Sequence, residues 1–554
     1  MRKLSFGLFF LLSIPSMAQL DSLFLREAQY GHFNGVVGVW EGNELNFKAS
    51  HGMANAEDVV SEHTAFDIGS ITKQFMAYGI LQLVQATSIS LDDPINDYLG
   101  AYADRKWKKV TIHHLLTHTS GIPSLFQTDQ GLPLLFPNSE PIDRDRLIGH
   151  FKQGDLLFSP GAGFSYSNSG YVLIALIIEN VSGLPAEEYL QANIFDRYGL
   201  DDSSCAPISN SAKPYYGYRR DLVESAPIYH KSWFLGGGGI YSSLADLRRW
   251  VQVLMTNDDL PSDLKSLLWK SHTQGGQDSY GYGWQIGTDG WIYHDGASAG
   301  FNSYLAFNKE TGNVIIILTN RGFEDIYMFS QGTQKLYDWA KAIKRHLEGS
   351  NFEMLPAYEA SSFRSGSYRF GECSISILRQ DTVALVQGLD CSPSRVMVSS
   401  PLQGDQYDKM INIADAMMRG KYWRLAKYCN GEMKFVVYSG LFSIGVKPLK
   451  KQVGEVQAII PYLQNEDYGL MRMVGTERIL DIITYFNDEG KMVGLFQNGA
   501  KRLEGTAQMV AYPIGNDKLW LDGFPYGEDS AVLDISGAPK FIQYGRVLEG
   551  KRLN

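Results

Sequence analysis

The stretch Phe66-Asp67-Ile68-Gly69-Ser70-Ile71-Thr72-Lys73 places a hydroxyl and an amine three residues apart at the predicted start of a helix over residues 70–86. Side chains at that spacing share one helical face, so the Lys73 amine reaches the Ser70 hydroxyl. A serine hydroxyl is a poor nucleophile until a neighbouring base takes its proton. Lysine serves as that base only when its pKa falls well below the ordinary value of about 10.4. The positive end of a helix and partial burial both push it down. Gly69 permits the tight backbone turn that presents the hydroxyl. Ser70 is therefore the candidate nucleophile and Lys73 the candidate base.

The spacing alone is weak, because Ser262-Asp263-Leu264-Lys265 repeats it. The residues downstream of each copy separate the two. After Ser70 come Tyr166-Ser167-Asn168 and then His294-Asp295-Gly296. After Ser262 comes Tyr485-Phe486-Asn487, with no Lys-x-Gly or His-x-Gly behind it. Only the first set is complete.

That order, Ser-x-x-Lys, Tyr-x-Asn and Lys/His-x-Gly, resembles the family of serine β-lactamases and penicillin-binding proteins. The run from Phe66 to Lys73 is similar to the nucleophile segment of class C β-lactamases and their relatives. So are Leu115-Leu116-Thr117-His118-Thr119-Ser120-Gly121, Ser159-Pro160-Gly161, Tyr166-Ser167-Asn168-Ser169-Gly170-Tyr171 and Gly238-Gly239-Ile240-Tyr241-Ser242-Ser243. The resemblance covers residues 33–345. It implies that Ser70 attacks a carbonyl and forms an acyl-enzyme, and that Lys73 and Tyr166 share the proton traffic. A phenol ionises readily only beside a cation, and Lys73 would supply one. Asn168 would hydrogen-bond the lysine and a substrate amide. The backbone N–H groups of Ser70 and of Ala297 would form the oxyanion hole. Gly296 would keep the strand clear for substrate.

One position departs from the pattern. Class C β-lactamases carry a lysine where this chain has His294, and a lysine is a permanent charge for a β-lactam carboxylate. An imidazole is mostly neutral near pH 7. Relatives with histidine there include esterases and peptidases of D-amino-acid substrates, so the expected reaction is hydrolysis of an ester or a D-amino-acid peptide or amide. A β-lactamase or penicillin-binding D-Ala-D-Ala carboxypeptidase is the alternative. A non-catalytic ligand-binding protein on the same fold is the alternative of another class.

Around these motifs the chain alternates between strand and helix patterns. Val36–Trp40 and Glu44–Ala49 flank a turn at Glu41-Gly42-Asn43. Helices are expected from near Gly170 to Ser182-Gly183 and over Leu244–Met255. Strands come next over Gly283–Gly287, Gly290–Asp295, Asn302–Asn308 and Asn313–Thr319, with a hairpin turn at Asn308–Gly312, and then a helix over Gln331–Leu347. Strands from both ends thus flank a helical middle. This predicts an α+β fold, a β-lactamase/transpeptidase-like antiparallel sheet flanked by helices with a helical subdomain, followed by a β-rich C-terminal module. The expected division is a signal peptide over 1–18, a hydrolase domain over 19–347, a linker over 348–360 and a β-rich accessory domain over 361–554, with one helix near Tyr407–Lys427.

Arg2 and Lys3, the apolar run Leu4–Ile14 and the small residues of Ser16-Met17-Ala18 match a secretory signal peptide, too short to span a bilayer. Export to the periplasm or the extracellular space is expected, with no membrane span in the mature chain. A net charge of −10 and no dense basic run argue against a nucleic-acid partner. The expected partner is a small-molecule or peptide substrate, peptidoglycan fragments among the candidates. Four cysteines in 554 residues are not a disulfide framework; buried thiols are the simplest reading, and a Cys373–Cys391 pair in an oxidising compartment is the alternative. No metal motif is present, His113, His114 and His118 lack a carboxylate or Cys partner, and no cofactor is expected.

Overall fold

A run of apolar residues at each end of the first 350 residues builds one sheet. The computed structural model describes residues 18–124, 141–216, 224–225, 230–273, 279–322 and 329–352, apart from 30, 234, 299 and 351, together with strands and short helices between 366 and 553. The signal segment 1–17, most of the Phe126–Pro141 loop, residues 353–360 of the expected linker, and Cys391 lie outside the described residues.

The chain divides into two compact units, residues 1–352 and 353–554. In the first, β1 (Gly35–Glu41) and β2 (Glu44–His51) form the expected hairpin. Two short strand pairings come next, β3 (Phe66–Asp67) with β4 (Tyr241–Ser242) and β5 (Ser279–Tyr280) with β6 (Gln285–Ile286). Then come β7 (Trp291–Ser298), β8 (Phe301–Asn308) and β9 (Val314–Thr319). The sheet runs β2-β1-β9-β8-β7-β6-β5. The first strand therefore pairs with the last, antiparallel, Gly35 opposite Thr319 and Trp40 opposite Val314. The Asn308–Gly312 turn closes by an Asn308 N–H to Asn313 O bond of 2.9 Å and a Gly312 N–H to Asn308 O bond of 2.9 Å.

Both faces of this sheet are covered. Every residue of β9 is buried, which is why it reads as an unbroken apolar run rather than an alternation. Val314, Ile316 and Leu318 join the core that contains the helical middle, whereas Ile315 and Ile317 fall outside that core. A helix over residues 18–29 and the helix Phe329–Leu347 supply Phe24 and Trp339, whose rings pack together with Phe33 at 4.9–6.0 Å.

Two helices form the centre of the middle layer: α1 (Thr72–Ala86) and α2 (Asn168–Ser182). Each is buried on nearly all sides, so neither shows an apolar stripe. Ser167 caps α2 by accepting the Gly170 N–H at 3.3 Å, and Gly183 ends it in the left-handed conformation, φ 75°. The helix expected from Ser70 begins two residues later. Gly69–Ile71 form a 3-10 turn, and α1 proper starts at Thr72.

In the second unit the barrel strands Gly366–Phe370, Cys373–Gln380, Val383–Gly388, Gln508–Pro513, Lys518–Leu521, Ala531–Asp534, Lys540–Gln543 and Arg546–Leu553 close on themselves, the first pairing with the last. A four-stranded antiparallel meander spanning Val456–Arg502 interrupts the barrel between its third and fourth strands. Of the helix expected near Tyr407–Lys427, residues 412–417 are helical and Tyr422–Tyr428 form 3-10 turns.

The β1–β9 seam leaves no room for a side chain at its start. A Cβ at Gly35 would lie 2.0 Å from the Leu318 carbonyl oxygen. Gly35→Ala is expected to lower stability by about 1–3 kcal/mol through forced backbone displacement, measured by urea denaturation.

Candidate active site

The 3-10 turn at Gly69–Ile71 juts against the strand β7. Gly69 has φ +51°, and a Cβ there would lie 2.6 Å from the Ala297 nitrogen. Gly296 is just as constrained: a Cβ there would meet the Ile68 carbonyl oxygen at 2.0 Å and Ser303 Oγ at 2.3 Å. The glycine of His-x-Gly is thus required by the close approach of the nucleophile turn to the sheet, not by clearance for substrate as the sequence suggested. Ser303 Oγ fastens the same seam by donating to Ile68 O at 2.8 Å. Beyond Tyr293, β7 loses its partner on the β6 side, because β6 pairs only with Ile292 and Tyr293. Residues 294–298 therefore form an edge next to Ser70.

Ser70, Tyr166, Asn168 and Ala297 are half-buried, while Lys73 behind them is fully buried. The Lys73 Nζ lies 2.9 Å from Ser70 Oγ, and donates to Asn168 Oδ1 at 2.7 Å and to the Gly237 carbonyl at 2.6 Å. Burial pushes its pKa well below the ordinary lysine value, and the more distant Asp295 opposes this only partly. Lys73 has no ion-pair partner among the described residues. A neutral amine fits these contacts: two N–H groups go to the two carbonyl oxygens, and the lone pair faces the Ser70 hydroxyl.

The Tyr166 phenol hydrogen-bonds Ser70, and burial raises its pKa above that of a free phenol. Lys73 Nζ stands 4.9 Å from the Tyr166 ring centroid, over the face of the ring. Both shifts run against the expectation that a cationic lysine ionises this tyrosine. Burial favours the amine over the ammonium at Lys73 and the phenol over the phenolate at Tyr166.

His294 also needs correction as a substrate-facing group. It is 1% exposed. Its Nδ1 lies 2.6 Å from the Asp295 carbonyl, to which it must donate, and its Nε2 accepts from the Tyr280 hydroxyl at 2.9 Å. Desolvation pushes its pKa down to about 4, with Lys73 also lowering it and Asp295 opposing. Both nitrogens are occupied and the ring is neutral. It offers no charge to a substrate carboxylate.

Three groups escaped the sequence reading. The Gly237 carbonyl is a backbone atom in the glycine run Gly236–Gly239 and leaves no side-chain signal. Tyr280 occupies the second ring nitrogen of His294, whose tautomer the Asp295 carbonyl fixes. His118 is the third: its φ of 57° is left-handed, rare for a residue with a Cβ. Its carbonyl accepts the Ser165 N–H at 3.0 Å and its Nδ1 accepts the Ser167 N–H at 3.0 Å, so it brackets Tyr166. Its ring packs on the Tyr166 ring with centroids 4.2 Å apart. The sequence placed it in a segment shared with relatives but gave no sign of this contact. The decoy Ser262 and Lys265 sit in a short helix, Ser262–Ser266, none of whose residues is buried. No group of three or more His, Cys, Asp or Glu among the described residues is arranged to hold a metal.

A β-lactamase family model matches residues 20–330, more than half of the chain. The chain belongs to the β-lactamase family, and is a serine hydrolase by class. It is 26% identical over 334 residues to penicillin-binding protein 4* of Bacillus subtilis (strain 168), covering 54% of this chain and 71% of that protein. It is 26% identical over 340 residues to a β-lactamase of Yersinia enterocolitica, covering 53% of this chain and 83% of that one. The octameric penicillin-binding protein homologue from Pyrococcus abyssi shares the fold, with a TM-score of 0.54, 19% identity, and coverage of 89% of this chain and 97% of that one. So does the D-amino acid amidase from Ochrobactrum anthropi SV3, with a TM-score of 0.52, 21% identity, and coverage of 60% and 99%. Among the described residues no single helix is long and apolar enough to cross a membrane.

The neutral His294 has a consequence for stability. Its pKa is about 4 in the folded chain against an ordinary 6.5. Between those values the unfolded chain binds more protons, so stability is full above pH 6.5 and is lost as pH falls towards 4. His294→Gln is expected to lose on the order of 2 kcal/mol less than wild type between pH 7 and pH 4, measured by denaturant titration at each pH.

Proposed function

We propose that this protein hydrolyses an ester or a D-amino-acid peptide or amide through an acyl-enzyme on Ser70. The observation that carries this reading is the buried, uncompensated Lys73 amine 2.9 Å from the Ser70 hydroxyl. Ser70 Oγ attacks the substrate carbonyl carbon while its proton passes to the Lys73 lone pair. The negative charge that develops on the carbonyl oxygen is met by the Ser70 and Ala297 N–H groups. The Tyr166 phenol gives its proton to the leaving group, and the proton that Lys73 took from Ser70 passes on to the tyrosinate. Water then repeats the sequence in reverse, with Lys73 and Tyr166 drawing its proton and Ser70 restored. Asn168 keeps the amine aimed at Ser70 and offers its amide N–H to the substrate.

The choice among substrates rests on His294. A β-lactam carries a carboxylate that wants a fixed positive charge, and the neutral, fully bonded imidazole supplies none. Neutral acyl groups on the open edge at residues 294–298 suit the site better. The Arg2-Lys3 start, the apolar run and Ser16-Met17-Ala18 support export, and the protein would then meet such substrates outside the cytoplasm.

A panel of p-nitrophenyl esters, D-amino-acid p-nitroanilides and nitrocefin, read alongside mass spectrometry after a fluorophosphonate, tests the proposal. The expected results are a single adduct on Ser70, ester or D-amino-acid turnover well above nitrocefin turnover, and a loss of kcat of roughly 10³-fold or more in Ser70→Ala and Lys73→Met. Labelling elsewhere with Ser70 unmodified contradicts it. Nitrocefin turnover equal to the best ester points instead to a β-lactamase.

A further inference from the structure

The proposed oxyanion hole joins two segments 227 positions apart, the Ser70 amide and the Ala297 amide. Backbone contact alone does not fix how far apart those N–H groups stand or where they point. A side chain outside the proposed chemistry touches the residue next to each donor. Asp67, in β3, accepts the Gly69 N–H on Oδ1 at 2.9 Å and the Ser298 hydroxyl on Oδ2 at 2.7 Å. Gly69 immediately precedes Ser70, and Ser298 immediately follows Ala297.

We propose that Asp67 is the positioning residue of the oxyanion hole, a two-ended clamp that sets the spacing and direction of the Ser70 and Ala297 N–H groups. This rests on the acyl-enzyme reading of Ser70. The first end is an Asx-type turn, in which the carboxylate holds the amide two residues on and fixes the left-handed Gly69 peptide that carries the Ser70 nitrogen. The second end reaches across to the edge strand. A Cβ on Gly69 would already lie 2.6 Å from the Ala297 nitrogen, so a small rotation at Gly69 moves the two donors relative to each other. Burial raises the Asp67 pKa while its two donors lower it, as expected for a carboxylate that carries hydrogen bonds rather than an ion pair. Asp67 is not a catalytic residue. It acts through Gly69 and Ser298, and its effect belongs to the transition state, where charge sits on the carbonyl oxygen.

The clamp needs acceptors and donors rather than charge, and asparagine preserves it: its oxygen accepts from Gly69 and its amide N–H donates to Ser298 Oγ. The test compares Asp67→Ala, Asp67→Asn, Ser298→Ala and the Asp67→Ala/Ser298→Ala double variant on a p-nitrophenyl ester, with an arylboronic acid as the tetrahedral mimic. Asp67→Ala is expected to lower kcat by about 10- to 100-fold with KM within about threefold, and to weaken boronic acid inhibition by the same factor. Asp67→Asn is expected within about fivefold of wild type, and the double variant to be no worse than Asp67→Ala alone. The clamp is overturned if Asp67→Ala keeps kcat within about threefold, if Asp67→Asn is as impaired as Asp67→Ala, or if kcat falls while boronic acid affinity does not. If Asp67→Ala does not fold, Ser298→Ala decides, and wild-type kcat in that variant overturns the clamp. Ser70→Ala runs alongside. An inactive Ser70→Ala with a fully active Asp67→Ala removes the clamp alone, whereas an active Ser70→Ala removes the acyl-enzyme reading beneath it.

Discussion

A lysine side chain with no counter-ion among the described residues, fully withdrawn from water, is the constraint around which the first unit is organised. Burying a charged ammonium is expensive, and the usual outcome is release of its proton. The fold makes that outcome productive by giving the amine three polar neighbours in fixed directions. Asn168 comes from the first turn of one buried helix, Gly237 from a glycine-rich turn, and Ser70 from the 3-10 turn ahead of α1. The all-round burial of α1 and α2 is what holds these directions constant, since neither helix has a solvated face on which to slide or rotate.

The same logic of neutrality extends outwards. His294 is kept neutral by burial and by two hydrogen bonds, and Tyr166 is kept a phenol by burial. His118, also neutral, pins the backbone on both sides of Tyr166. Burial thus favours the uncharged forms of the amine, the phenol and both imidazoles. Low polarity makes the N–H groups aimed at a developing oxyanion more effective than they would be in water.

Much of this arrangement is legible in the chain itself. The end of α2 follows from Gly183, and the joining of strands from both ends into one sheet follows from two strand groups flanking a helical middle. The order of Ser70, Tyr166 and His294 motifs separates the working Ser-x-x-Lys from its copy at Ser262. The features that stay hidden have physical reasons. A backbone carbonyl such as that of Gly237 leaves no side-chain signature. The face of an edge strand to which His294 points depends on register, and a one-residue change would exchange it with Asp295. The protonation of Tyr166 depends on how deeply it and Lys73 are buried, which residue spacing does not encode. Gly296 is rightly singled out by its motif, but its reason lies in the Ile68 carbonyl against it rather than in a substrate.

The central claim is that burial holds the Lys73 pKa well below the ordinary lysine value. Carbon-13 NMR of lysine labelled at Cε, with the Lys73 resonance assigned by its loss in Lys73→Arg, reads this directly as a titration curve. The account requires the Lys73 signal to titrate well below the ordinary lysine value of about 10.4, separated from the surface lysines. A Lys73 signal that titrates with the surface lysines, or above them, would contradict it.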